Sequence, residues 1–260
     1  MAGTNAIALE HVSKRYDTGA EVLHDVSLEI AEGEFLAIVG PSGSGKTTLL
    51  RLINRLAEPT SGAIRVGADD VSAADPIRLR RSIGYVFQGV GLFPHLTVAE
   101  NIAITPRLIG WDAEKRAARA DELLALVRLD PNKYRARFPA ELSGGERQRV
   151  GVARALAAEP KILLMDEPFG ALDALTRDAL QKDYRDLHDK LALTSVMITH
   201  DLTEAALLAD RIVVLHQGRI AEQGTPRALM TAPKDAYVRE LVETPKQQAA
   251  RLAALMRGEP

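Results

Sequence analysis

The chain contains no cysteine, which excludes disulfide staples and thiolate metal sites and agrees with a reducing compartment. Long apolar runs are missing too: none approaches the roughly 18 residues needed to cross a bilayer. The first ten residues lack the charged stretch and apolar core of a secretory signal. The chain therefore reads as neither secreted nor integral to a membrane. It also has little excess charge of either sign, with a formal net charge of −2, so nucleic acid is not expected as a partner. What is present is a globular composition of 260 residues, 46% hydrophobic, enough for one large α/β domain or a core with a subdomain.

Residues 7–30 alternate loosely and break at Asp17-Thr18-Gly19, which predicts antiparallel strands about a turn. Phe35-Leu36-Ala37-Ile38-Val39 reads as a buried strand, and Leu49, Leu50, Ile53 and Leu56 recur behind it at helical spacing. Short strands are expected at 63–66 and 83–87, and helices starting near Thr97 and Asp112 within a mostly helical stretch, 89–142. Further on come a strand at Ile162-Leu163-Leu164-Met165 and a long helix through Leu180, Tyr184 and Leu187. A strand at Val196-Met197-Ile198, a helix capped by Asp201 and a hairpin around Gln217-Gly218 follow. From residue 225 only short helical patterns remain, with Leu252, Leu255 and Met256 read as packing contacts. Strands alternating with helices imply a parallel sheet whose ligands sit at the carboxyl ends of its strands.

Two glycine-rich segments carry the chemistry. Gly40-Pro41-Ser42-Gly43-Ser44-Gly45-Lys46-Thr47 follows a strand and opens a helix, as a phosphate-binding loop does: successive amides cradle phosphate oxygens while the lysine neutralises them. Leu142-Ser143-Gly144-Gly145-Glu146-Arg147-Gln148-Arg149 places a serine and two glycines at a helix mouth, where outward N–H groups favour an anion. The same serine with Glu146 three residues on is equally a capping box. Candidate polar residues stand just after the other strands. Asp166-Glu167-Pro168 would leave two carboxylates on opposite faces of a strand end, one for magnesium and one for a water. Gln88 and His200 end their own strands.

In this order the motifs resemble the ATP-binding subunits of ABC transporters, from about residue 7 to residue 226. Gly40 to Thr48 looks like the Walker A loop, Gln88 the Q-loop glutamine, Leu142 to Glu146 the family signature and Leu164 to Glu167 the end of Walker B. Ala171-Leu172-Asp173 looks like the D-loop and His200 the switch histidine; Glu146 stands where many members have glutamine. The resemblance implies an α/β fold: a P-loop NTPase (RecA-like) core with a parallel sheet, an N-terminal antiparallel β subdomain and an α-helical subdomain. One ATPase domain is expected over 1–243, its helical subdomain inserted at about 89–158, with a short tail over 244–260 and no regulatory domain. It also implies the ligands ATP and Mg2+. Gly40, Ser42, Gly43, Ser44, Gly45, Lys46, Thr47 and Thr48 would hold the phosphates, with Tyr16 stacking adenine. Thr47, Gln88 and Asp166 would bind the metal, Glu167 would polarise the attacking water, and His200 would hold it in line with the γ-phosphate. Ser143, Gly144, Gly145, Glu146 and Asp173 would complete the site of a second copy in a head-to-tail dimer.

The loop Gly89-Val90-Gly91-Leu92-Phe93-Pro94-His95-Leu96-Thr97 carries apolar residues where a solvated turn would be polar, and in the family this surface receives a helix of the transmembrane permease. The wording of that loop, with Ile102, Pro106, Trp111, Phe169 to Asp173, Thr176 and Arg177, is similar to importers of glycine betaine, carnitine and choline. This implies an ATPase on the cytoplasmic side of the inner membrane, acting with a permease and, indirectly, a substrate-binding protein. The alternatives are an importer of another small polar solute, such as an amino acid or a sulfonate, and a soluble non-transport ABC ATPase.

Overall fold

The computed structural model describes residues 5–257 apart from positions 18, 90 and 171, and the side chains of 248–250 and 252–255 are not covered. Thr18 of the expected turn, Val90 of the docking loop, Ala171 of the D-loop and the Leu252 and Leu255 side chains thus lie outside the described residues. The chain opens with β1 (Asn5–Arg15) and β2 (Glu21–Ala31), antiparallel as expected. Next comes β3 (Phe35–Val39), every residue of it buried, and then α1 (Lys46–Ile53). The helix stops short of Leu56, which is 49% exposed rather than part of the apolar stripe, because Arg55 adopts a left-handed backbone (φ 55) just after it. The strands β4 (Ser61–Val66) and β5 (Asp69–Asp70) complete a four-stranded antiparallel sheet ordered β2-β1-β4-β5.

After α2 (Pro76–Ser82), capped by Asp75, β6 (Ile83–Val86) leads into the helical segment: α3 (Val98–Ile102), α4 (Ile104–Leu108), α5 (Ala113–Leu126), α6 (Pro131–Tyr134) and α7 (Gly144–Leu156). Thr97 and Asp112 cap α3 and α5 as their sequence positions predict. The alternating half follows, with β7 (Ile162–Asp166), α8 (Ala174–Leu191), β8 (Thr194–Thr199), α9 (Leu202–Leu208), β9 (Arg211–His216) and β10 (Arg219–Gly224). The second sheet is ordered β10-β9-β3-β8-β7-β6 and is parallel except for β10 at its edge.

Pleating divides β3 between two cores. Phe35, Ala37 and Val39 join the core beneath α7, α8 and α9, whereas Leu36 and Ile38 join Leu49, Leu50 and Ile53 of α1 between the two sheets. The loop after β3 is thereby fixed at the middle of the parallel sheet. The expected short C-terminal patterns become α10 (Pro226–Thr231) and one longer helix, α11 (Ala236–Met256), which runs across the boundary expected at 243. Val238 and Val242 anchor it in the core. Pro245 inside it lacks an N–H, and Thr244 Oγ1 donates to the Glu240 carbonyl at 3.2 Å one turn back. Among the described residues no helix is long and apolar enough to cross a membrane.

Candidate active site

The connection from β3 to α1 is built so that only glycine fits at key points. A Cβ on Gly40 would collide with the Leu215 carbonyl of β9. Gly45 has φ 103, and a Cβ there would stand 2.6 Å from Leu23 Cδ2 and 2.9 Å from the Val22 carbonyl. Gly45 is the N-cap of α1 and offers no side-chain acceptor, so the first-turn amides lack the cap that usually satisfies them. Ser44 Oγ is buried and has no hydrogen-bond partner. Buried Lys46 donates through Nζ to the carbonyls of Gly40 (2.7 Å) and Pro41 (2.9 Å). Burial pulls its pKa down, and the charges of Glu167 and Asp166 push the other way. Thr47 is half-buried and Ser42 and Gly43 are exposed. Tyr16 reaches the same loop from β1, its hydroxyl 3.3 Å from Thr48 Oγ1.

Asp166 ends β7, buried; burial, aided by the Glu167 charge, lifts its pKa above the ordinary value, with Arg51, Lys46 and the Thr47 hydroxyl acting in the opposite direction. The strand alternation expected to set Asp166 and Glu167 on opposite faces is not continued, because Glu167 turns left-handed (φ 44) with its N–H donating to the Ile198 carbonyl at 3.0 Å. Such a conformation costs on the order of 1–3 kcal/mol and persists only where the surroundings enforce it. It brings the Glu167 carboxylate to two residues from other strands: Gln88 Nε2 donates to Oε2 at 3.2 Å, and His200 Nδ1 lies 3.4 Å from the same oxygen. Both carboxylates act on Lys46. Residues that follow β3, β6, β7 and β8 therefore converge at one end of the parallel sheet.

The signature segment is arranged differently. Ser143 Oγ accepts from Glu146 N at 3.2 Å, and Glu146 Oε2 accepts from Ser143 N at 2.7 Å, so the capping box is complete. Tyr134 also donates to Glu146 Oε1 at 2.5 Å and, ahead of the Ser143 bond, holds that carboxyl below its usual pKa. Ser143 and Gly144 are exposed, and among the described residues a Cβ on Gly144 would meet only Leu172 Cδ2, at 3.8 Å. Gly145 is pressed on Thr176 Cγ2, where a Cβ would stand at 2.5 Å. Asp173 caps α8, its Oδ1 accepting from Thr176 N at 3.0 Å. Among the described residues no hydrogen bond or ion pair joins 143–146 to 40–48, so the two glycine-rich segments are separate within one chain.

Sequence reasoning missed two features. Arg177, Thr199, Asp201 and Glu204 share a small cleft with Glu167 and His200; the signal was an acid, Glu204, among the apolar residues of α9. An apolar groove of about 440 Å3 also runs between Leu56, Tyr85, Phe87, Phe93 and Ile104. Only Phe93 of these was marked by the loop pattern, because the others come from separate elements. Phe87 and Phe93 remain 45% and 41% exposed.

A family model described as "ABC transporter" matches residues 23–170. The choline transport ATP-binding protein OpuBA of Bacillus subtilis is 47% identical over 98% of this chain and 68% of its own length. The glycine betaine/carnitine/choline transport ATP-binding protein OpuCA of the same organism is 51% identical, over 91% of this chain and 62% of its length. The chain thus spans about two thirds of the length of these curated relatives. Among solved structures, the dimeric post-hydrolysis state of the ATP-binding cassette MJ0796 with ADP and Pi is 36% identical. It covers 85% of this chain and 99% of its own, with a TM-score of 0.77.

Proposed function

The chain belongs to the ABC transporter family as an ATP-binding cassette, and we propose that it is the ATP-hydrolysing subunit of an importer for glycine betaine, carnitine or choline. One observation carries the hydrolytic reading: Lys46, Gln88, Glu167 and His200 meet at the carboxyl end of the parallel sheet, beside a helix start with no cap. The solute is supported by the names of its relatives.

The amides of 43–48 and Lys46 hold the β- and γ-phosphates, and the unpartnered Ser44 hydroxyl adds a donor to them. Tyr16 stacks on adenine. Glu167 orients and polarises the attacking water, with Gln88 and His200 fixing its carboxylate and His200 also contacting the γ-phosphate. Thr47, Gln88 and Asp166 offer a hydroxyl, a carboxamide and a carboxylate, a sparse oxygen set that suits a hard cation sharing phosphate oxygens and water. Among the described residues no cluster of three His, Asp or Glu competes for a metal. Magnesium held there would neutralise charge developing on the phosphoryl oxygens.

Ser143, Gly144 and Gly145, with Glu146 and Asp173 behind them, face the nucleotide of a second, head-to-tail copy; the similar MJ0796 cassette is a dimer, which supports this reading. The groove over Tyr85, Phe87 and Phe93 receives a permease helix, placing the subunit against the cytoplasmic face of the membrane. Sizing chromatography of Glu167→Gln protein tests the shared site: it elutes as a dimer with saturating ATP and as a monomer without, and a monomer in both removes that reading. Co-purification with the permease and its binding protein, followed by titration of the latter with betaine and choline, tests the solute; binding of neither overturns it.

A further inference from the structure

Residues 172–177, where α8 begins, have neighbours on two sides. Toward the signature, Leu172 bounds the space over Gly144 and Thr176 is packed on Gly145. Toward His200, Arg177 donates through Nη2 to the Leu172 carbonyl at 3.0 Å, and its Nε is buried without a hydrogen-bond partner. Burial raises the pKa of Glu204 and the Asp201 charge adds to this, against the opposing effects of Thr199, Gln181 and, least, the Arg177 charge.

Glu204 is 6% exposed, and burying a carboxylate is costly unless donors satisfy it. Gln181 Nε2 of α8 donates to it at 2.9 Å, and the nearby Thr199 hydroxyl also favours its charged form. The Thr199 hydroxyl in turn accepts from Asp201 N at 3.1 Å, and Asp201 Oδ1 accepts from the backbone N–H of Thr203 and Glu204. Thr199 and Asp201 are the residues on either side of His200. Glu204 therefore ties the segment that carries His200, through Asp201, to α8, whose Thr176 lies against Gly145 of the signature.

We propose that Glu204, bonded to Gln181 through its carboxylate and to Asp201 through its backbone N–H, is a positioning residue that sets His200 relative to Glu167 and joins the two half-sites within one chain. The inference rests on ATP hydrolysis as read above and adds residues that were given no role on nucleotide or water there. Misplacing a reacting group by about 1 Å can cost on the order of a hundredfold in rate without affecting the binding of substrate.

The test uses the full chain with ATP and magnesium. In Glu204→Ala, kcat falls about tenfold or more while KM stays within about twofold, and Glu204→Gln, which keeps an accepting oxygen, recovers most of the loss. Hydrogen exchange followed by mass spectrometry gives a second readout, which stands even where Glu204→Ala is poorly stable: in Arg177→Met and Gln181→Leu, exchange rises at 170–173 and 199–201 and is unchanged in the antiparallel sheet. If wild-type protein does not hydrolyse ATP, or His200→Ala is as active as wild type, the underlying reading and this inference both fall. If those controls behave as expected but Glu204→Ala keeps wild-type kcat, or exchange at 199–201 does not change, this inference alone is overturned.

Discussion

Two helices of this chain start on segments rich in glycine and serine, and they treat their free amides in opposite ways. At α1 the cap is Gly45, which has no acceptor; the nearby Ser44 hydroxyl is buried unpaired, and Lys46 turns back onto loop carbonyls. At α7 the cap is Ser143, its box with Glu146 is complete, and Tyr134 supports the glutamate from α6. Both starts would attract an anion, since both present helix amides. The first leaves donors and a hydroxyl unsatisfied that a phosphate could use, and gives up local stability for it. The second is stable by itself, so any phosphate reaching it is an additional partner for groups already bonded. The chain thus carries one helix start that leaves polar groups unsatisfied and one whose cap is already complete.

The largest effect expected from this contrast is on turnover. On the proposed reading, replacing Glu167 by glutamine removes the general base while leaving 40–48 intact, so kcat should drop by about 10²–10⁴ with ATP affinity little changed. Steady-state phosphate release with equilibrium nucleotide binding measures both. Activity within twofold of wild type would falsify the assignment of chemistry to the α1 end of the molecule.

A pair of glycine substitutions separates the two starts by stability. Gly45→Ala forces a left-handed alanine, costing about 1–2 kcal/mol, and drives its Cβ into Leu23 and the Val22 carbonyl, for about 1–3 kcal/mol more. Gly144→Ala meets nothing closer than 3.8 Å among the described residues, and urea unfolding should place it within about 0.5 kcal/mol of wild type. Equal losses at the two sites would break the contrast.

The serines sharpen it further. Ser143→Ala removes a working cap and should cost about 1 kcal/mol, lowering Tm by roughly 2–4 °C in a chain of this size. Ser44→Ala removes a buried hydroxyl with no partner, so without nucleotide it should be neutral or stabilising by on the order of 1 kcal/mol. With ATP present the order reverses in binding, Ser44→Ala weakening it more than Ser143→Ala does in the monomer. Calorimetric melting with and without nucleotide reads both.

The contrast also marks where sequence is legible. The runs 35–39, 162–165 and 196–198 announce buried parallel strands because both faces of the sheet are covered, and the spacing of Gly40, Gly45 and Lys46 announces a phosphate loop because few other structures need it. The capping box was equally visible, being a local contact. What sequence did not reveal depends on distant packing. The left-handed turn at Glu167 comes where β7 leaves the sheet beside Ile198 of the neighbouring strand. The burial of Glu204 needs Gln181 and Thr199, from two other elements. The groove at Tyr85, Phe87 and Leu56 exists only once β6, the end of α1 and the helical segment are brought together.

The smallest effect expected is a difference of sign with pH. Glu146 has its pKa lowered from 4.5, by the Tyr134 hydrogen bond first and the Ser143 backbone bond next. Its contribution to stability is therefore fully present above the ordinary value and is lost as pH falls through the lowered one. Asp166 has its pKa raised from 3.8, chiefly by burial and then by Glu167, so its ionised form carries a cost at neutral pH that is relieved as acid protonates it. Buried His188 also has a lowered pKa, mainly from desolvation, and weakens the fold as pH drops below its ordinary value, but it does so equally in every variant and cancels in differences. Wild type should therefore be more stable than Glu146→Gln at pH 7, with the gap closing between about pH 5 and pH 3. Asp166→Asn should be more stable than wild type at pH 7 in the absence of magnesium, and that gap should close as pH falls. Urea midpoints across this range decide it, and gaps of the same sign would mean that the two helix starts do not differ in how they hold charge.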